Sequence, residues 1–395
     1  MTRRGASLVA LVALLAGCGE EAQEKDRRDP KPRAGRPAHD VRYGGLLAHG
    51  EVGPPPAGEN VDLLSLRLLL HVDPRGRGAD VQATLVLGRA AGGARGTIEL
   101  LLSSEAPAEQ VLLAGTSVPF RQENGFLAFE LPAGVAGDRQ DEVEIYYSLP
   151  DAGAKPTGIL TPGSAWHPGR GPGDPFAGEI EVFVPEGLGV VATGFALPRE
   201  SAGPGMVRER FLLSQATGCI GLAWAPGEAV SFEAGGTSFR CLALGPDDLG
   251  RVREIAEGLA AFFGPCSCDV VSISGVAPEG HVGTAGPGFT ALRAGRATKA
   301  AIAHVLAHQW WPGTDGDEAL ALFAESSLAP PADPSLFDKL FATGGLFAGS
   351  ETLLSLARRL GELEAERRRV ALDRYRGGDR SVAELAAAID AAGRR

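Results

Sequence analysis

The hydrophobic rhythm of this 395-residue chain changes once, near Asp247, and that change constrains its fold more than any other feature. Upstream, short apolar runs are separated by turn residues, at 64–72, 80–87, 97–102, 111–120, 125–131, 142–148, 179–184, 189–194, 208–214, 219–224 and 237–244. Runs of this length and spacing are strands joined by hairpins, and the 55 glycines and 28 prolines supply the turns. Downstream, apolar residues recur at helical spacing. Val252, Ile255, Leu259 and Phe262 share one face of a helix over 247–263, which opens with acidic residues. After a strand at 270–276, helices are expected over 298–311, 317–328, 337–341, 351–363, 364–375 and 381–392. The expected class is α+β and multidomain: an antiparallel β-sandwich or saddle over 60–245, then a mainly helical domain over 246–395. The arginines between Arg358 and Arg380 alternate with acids, as on a solvated helix face.

The first residues follow a different logic. Arg3 and Arg4 precede an apolar run from Ala6 to Leu15, which is too short to span a bilayer as a helix. It leads into Leu15-Ala16-Gly17-Cys18, which resembles a bacterial lipobox. In that reading residues 1–17 are a signal peptide and Cys18 is lipidated, so the membrane is a partner through the anchor. Gly19 is not Asp, which by resemblance to Gram-negative sorting points to the outer membrane of the cell envelope. An ordinary secretory signal is the alternative. Residues 18–59 read as the lipidated cysteine and a tether, because 20–40 carry charge and proline but no Phe, Leu, Ile or Val. A net charge of -11 argues against a nucleic-acid partner.

Export permits disulfides, and four further cysteines remain. Cys219 and Cys241 both fall in strand-like segments, so a bridge between them and free buried thiols are both open. Cys266 and Cys268 stand so close in sequence that they would pair only with strain.

The helix over 298–311 carries the candidate chemistry. His304 and His308 stand one turn apart, so both imidazoles can face one ion. A zinc site of this kind takes a third ligand from the next helix, where Glu325 is the best candidate and Glu318 a weaker one. The residue after the first histidine would act as general base in an H-E-x-x-H pattern. Here it is Val305, which cannot accept a proton.

In full, His304-Val305-Leu306-Ala307-His308-Gln309-Trp310-Trp311 resembles the zinc helix of the aminopeptidase N family of zinc metallopeptidases, the gluzincins. Leu322-Phe323-Ala324-Glu325-Ser326 matches the position of that family's second motif, though only sixteen residues separate His308 from Glu325, a shorter connection than the family's. The segments 185–194 and 219–227 resemble the strands that close the family's N-terminal domain. Phe262-Phe263-Gly264, Arg359-Leu360-Gly361 and Tyr375 resemble parts of its catalytic domain. The resemblance implies a thermolysin-like zincin domain with zinc held by His304, His308 and Glu325.

It also exposes three departures. Val305 replaces the general base. Gly283-Thr284-Ala285-Gly286-Pro287-Gly288-Phe289 stands where the family has a glutamate that holds the substrate's amino group, and it contains no acid. No tyrosine occurs between Glu325 and Tyr375 to serve as oxyanion donor, and nothing in the spacing recommends Glu279 as a substitute base. The expectation is a catalytically impaired envelope lipoprotein that binds peptide or an envelope protein. An active zinc peptidase with altered chemistry and a metal-free scaffold are the alternatives.

Overall fold

The computed structural model describes residues 61–89, 96–131, 139–150, 155–171, 174–278, 283–311, 317–328, 350–376 and 381–394. The expected signal, tether and helix at 337–341 lie outside them, as do Glu279 and the Glu318 side chain. Among the described residues no helix is long and apolar enough to cross a membrane.

The first half is β throughout. A nine-stranded sheet contains β1 (Val61–Val72), β2 (Ala79–Arg89), β4 (Ala108–Leu113), β5 (Thr116–Ser117), β8 (Arg139–Leu149), β10 (Phe176–Pro185), β12 (Phe195–Ala196), β13 (Glu200–Ser201) and β14 (Met206–Thr217). Its order is β12-β14-β10-β1-β2-β8-β4-β5, with β13 also on β14. All its pairings are antiparallel except β1 with β10. A smaller sheet of β3 (Gly96–Leu101), β7 (Phe126–Leu131) and β6 (Phe120–Glu123) joins it over one apolar core. A third is built from β11 (Leu188–Ala192), β15 (Leu222–Pro226) and β9 (Gly158–Leu160). Alternation explains the large sheet: along β1, Leu66, Leu68 and Leu70 point into the core while Arg67 and His71 point out. The one parallel pairing is close enough to need a glycine, because a Cβ on Gly178 would meet the Leu66 carbonyl oxygen at 1.9 Å.

The second half begins earlier than the change of rhythm. The hairpin of β16 (Val230–Ala234) and β17 (Thr237–Leu242) belongs to a five-stranded sheet with β18 (Val270–Ser274), β20 (Phe289–Leu292) and β19 (Gly283–Gly286). β17 runs parallel to β18, and the connection is α1 (Pro246–Phe263). Pro246 in the first turn and Gly264 at φ 77° bound that helix, and Val252, Ile255 and Leu259 bury its inner face. Among the described residues five more helices follow: α2 (Lys299–Ala307), α3 (Asp317–Leu328), α4 (Ser350–Glu362), α5 (Ala365–Arg376) and α6 (Val382–Gly393). Thr298 caps α2 and Ser381 caps α6, each accepting a backbone N–H three residues on.

The two halves are joined by apolar packing and by ions. Val191, Ala223 and Ala225 of the small sheet share a core with Leu242, Phe289 and Ala291 of the five-stranded sheet. Arg240 on β17 reaches Glu209 on β14 at 2.7 Å, and burial pushes the Glu209 carboxyl up despite that partner.

One arginine departs from the solvated face expected of it, and the two strand cysteines take the free-thiol alternative. Arg368 is not on a solvated face: its guanidinium lies over Phe323 and Phe262 and donates to the carbonyls of Leu360, Gly361 and Leu363 at the end of α4. Cys219 and Cys241 are both buried and both free, so the bridge left open between them is not formed. Cys241 packs in the core beneath α1, whereas the Cys219 backbone is tied to the Thr217 hydroxyl at the end of β14.

His167 is wholly buried between the halves of the β region. Its Nδ1 donates to the Pro168 carbonyl and its Nε2 accepts the Ile220 N–H. Desolvation lowers its pKa from 6.5 to about 4. The unfolded chain therefore binds a proton below pH 6.5 that the fold refuses until about pH 4. Stability from this group is complete above pH 6.5 and declines between 6.5 and 4, by about 3 kcal/mol at 1.36 kcal/mol per unit. Urea midpoints measured across that window should fall steeply for the native chain and less for His167→Gln. Equal slopes would remove His167 as the source.

Candidate functional site

The candidate site is built on the end of one helix. α2 is rich in alanine and lies between the five-stranded sheet and α3, so nearly every residue on it is buried. The expected helix to Trp311 ends at Ala307, with His308 as its cap. Beyond it the backbone tightens: Gln309 N–H bonds to the Leu306 carbonyl and Trp310 N–H to the Ala307 carbonyl, three residues back. The cause is lateral packing. Trp310 Nε1 donates to the Gly264 carbonyl at 2.8 Å, and Trp311 meets Phe263 edge to face at 4.5 Å.

His304, His308 and Glu325 are brought together by the packing of α2 on α3, and are 4%, 1% and 7% exposed. His304 Nδ1 stands 3.3 Å from Glu325 Oε2. The two imidazole rings lie edge to face with centroids 5.2 Å apart. Two imidazoles and a carboxylate form a donor set that suits zinc. Two ligand atoms on one tetrahedral ion stand about 3.3 Å apart for bonds of ~2.0–2.1 Å, which is the His304–Glu325 spacing. His308 does not close on the same point: among the described residues no three His, Cys, Asp or Glu side chains are arranged to hold one metal ion. The residues fit zinc in kind, and two of the three fit it in spacing.

Val305 is 5% exposed, and its Cγ2 would stand 3.0 Å from a Cβ built on Gly283 of β19. The valine therefore fills the space beside Gly283. Tyr375 is fully buried in the helical core with Leu372.

Gln309 carries a role that asking only for ligands and bases had missed. Its carboxamide is completely buried. Oε1 accepts the Gly288 N–H at 2.9 Å, and Nε2 donates to the Gly286 carbonyl at 3.0 Å, the Phe289 carbonyl at 3.3 Å and the Thr290 hydroxyl at 3.0 Å. The side chain thus fastens the β19–β20 turn to the end of the histidine helix. The signal was present in the sequence: a glutamine between a histidine and two tryptophans in an apolar helix must be satisfied from outside that helix. Gln309→Leu should cost roughly 2–4 kcal/mol, because it strands buried backbone groups on the turn. Chemical denaturation measures this, and a loss below about 1 kcal/mol would contradict the clamp.

No family model matches the chain, and no curated protein matches it at a significant level. Solved structures do match. A glutamate-to-alanine mutant of a two-domain M1 zinc metallopeptidase bound to L-tryptophan aligns at 18% identity and a TM-score of 0.57, over 88% of this chain and 90% of that one. A mutant M1 zinc metallopeptidase from Deinococcus radiodurans, bound to a Tyr-Ser-Ala substrate, aligns at 18% identity and 0.55, over 85% and 87%. The unmutated enzyme from the same organism aligns at 18% and 0.54, over 85% and 86%. The chain therefore has the two-domain fold of the M1 zinc metallopeptidases, an N-terminal β domain followed by a part-helical one.

Proposed function

We propose that this protein is a peptidase-like homologue that has lost hydrolysis and uses its cleft to bind peptides or an envelope protein. The observation that carries this reading is Val305, buried and packed against Gly283 where a proton acceptor would be needed. Amide hydrolysis requires water activation and stabilisation of the oxyanion. Lack of a general base costs ~10²–10⁴ in rate, and lack of an oxyanion donor ~10²–10³. The similar fold of enzymes solved with a tripeptide and with an amino acid supports a peptide as the bound species.

His304, His308 and Glu325 are the residues that would hold zinc. When bound, the ion supplies Lewis-acid polarisation of a carbonyl. The 3.3 Å approach of His304 to Glu325 supports retention of the metal. The lack of a three-donor arrangement among the described residues supports the metal-free alternative.

The test is zinc content, peptide binding and hydrolysis, measured on the native chain, His308→Ala and Val305→Glu. The expected outcome for the native chain is saturable binding of short peptides without turnover, and bound zinc that His308→Ala removes. Chelator-sensitive cleavage by the native chain, abolished in Glu325→Ala, would instead make it an active peptidase. Absence of both metal and peptide binding would make it a scaffold. Activity appearing only in Val305→Glu would identify the base as the missing part.

We further infer attachment to the cell envelope through a lipid on Cys18, at the outer membrane, from the order of Arg3, Arg4, the apolar run and Leu15-Ala16-Gly17-Cys18. Fatty-acid labelling of expressing cells should mark the native chain and spare Cys18→Ala. Equal labelling of both would sink the anchor.

A further inference from the structure

Cys266 and Cys268 sit in the short link between α1 and β18, flanking a bend at Ser267. The bend turns the link back on itself, so that the Cys268 N–H points at Cys266 Sγ from 3.4 Å. The bend thus sets the two cysteines side by side. Both are free. Cys266 is half-buried, while Cys268 is buried at the wall of a pocket of about 50 Å³ lined also by Thr193, Gln215, Thr217 and Gly288.

We propose that Cys266 and Cys268 form a redox-active dithiol, which closes reversibly to a disulfide by exchange with a low-molecular-weight disulfide such as oxidised glutathione. The chemistry balances within that pair of reactants. The Cys268 thiolate attacks one sulfur of the external disulfide, and the other sulfur leaves as a thiolate. Cys266 then gives up its proton, attacks Cys268 Sγ and expels the second thiolate. The protein loses two hydrogens and two electrons, and the external disulfide becomes two thiols. The surroundings favour Cys268 as the first nucleophile. Its pKa is lowered chiefly by its neighbour Cys266, helped by Ser267 and the Gly288 N–H, while the Cys266 thiol is pushed up by Cys268 and by burial. Closure between residues this near in sequence is strained, and strained disulfides are the readily reduced ones.

The pair is also connected to the candidate site. Cys266 Sγ donates to the Gln309 carbonyl at 3.1 Å, beside the Ser267 hydroxyl at 2.7 Å. Oxidation removes the thiol hydrogen and leaves Ser267 alone on that carbonyl. The state of the dithiol is thereby felt one residue from His308.

The experiment equilibrates the purified protein with a series of oxidised-to-reduced glutathione ratios, quenches with acid, alkylates and maps the peptides by mass. Alkylation of Cys266 and Cys268 should fall together to near zero toward the oxidised end and recover fully when the ratio is reversed. The peptide containing both should be lighter by two hydrogens, and Cys219 and Cys241 should stay reduced. Cys266→Ser should trap Cys268 as a mixed disulfide with glutathione. Phenylarsine oxide, which must bridge two neighbouring thiols, should protect both cysteines of the native protein from alkylation. Full alkylation of both at the most oxidising ratio, or a bridge forming between Cys219 and Cys241 instead, would overturn the proposal. Both readings come from the native protein and do not depend on a variant folding.

Discussion

One carboxamide holds the candidate site together. Gln309 has no water to turn to, so its hydrogen-bonding capacity is spent on the β19–β20 turn. A buried network of this kind contributes chiefly through what its loss would leave unsatisfied. Gly286 has Pro162 against its open side, where a Cβ would meet that ring at 2.5 Å. The clamp fixes where β19 runs relative to α2, and so it fixes the distance between Gly283 and Val305.

Val305 and the acid-free strand β19 lie side by side. A glutamate at 305 would carry a charge into a space that is almost fully enclosed, and burying a carboxylate without a partner is costly. Valine removes that charge, and Gly283 gives its methyl groups room. The apolar contact is stable without metal or substrate. The same cannot be said of the His304–Glu325 pair, which keeps two polar groups buried side by side.

How much of this was legible follows from how each element is stabilised. The long strands of the first half announce themselves because one face is core and the other solvent, so alternation is written into β1 and its neighbours. α1 was legible through its acidic start and apolar spacing, and α6 lies where a helix over 381–392 was expected. β19 and β20 were not legible, because β19 is only Gly, Thr and Ala and every residue of the four-residue β20 is buried, so neither shows alternation. β16 was missed for a related reason: its residues alternate buried and exposed, but its place is set by pairing with β17 and not by its own pattern. The early end of α2 was illegible because Gln309, Trp310 and Trp311 are good helix residues whose partners, Gly264, Phe263 and the β19–β20 turn, come from elsewhere in the chain. Of the expected ligands, His304 and His308 follow from a helical period and Glu325 from the resemblance and the next helix; the packing of α2 on α3 sets Glu325 beside His304, while His308 does not close on the same point.

The tightened turn after Ala307 divides the histidine helix into parts with unequal tolerance to change. From Gln309 onward each side chain answers to a partner outside the helix: a hairpin for the glutamine, a carbonyl for one tryptophan, a phenylalanine ring for the other. Val305 instead packs in the apolar core beside Gly283. A substitution in the tail must therefore be matched by a change in a distant segment, whereas one at 305 need only suit the apolar space around it.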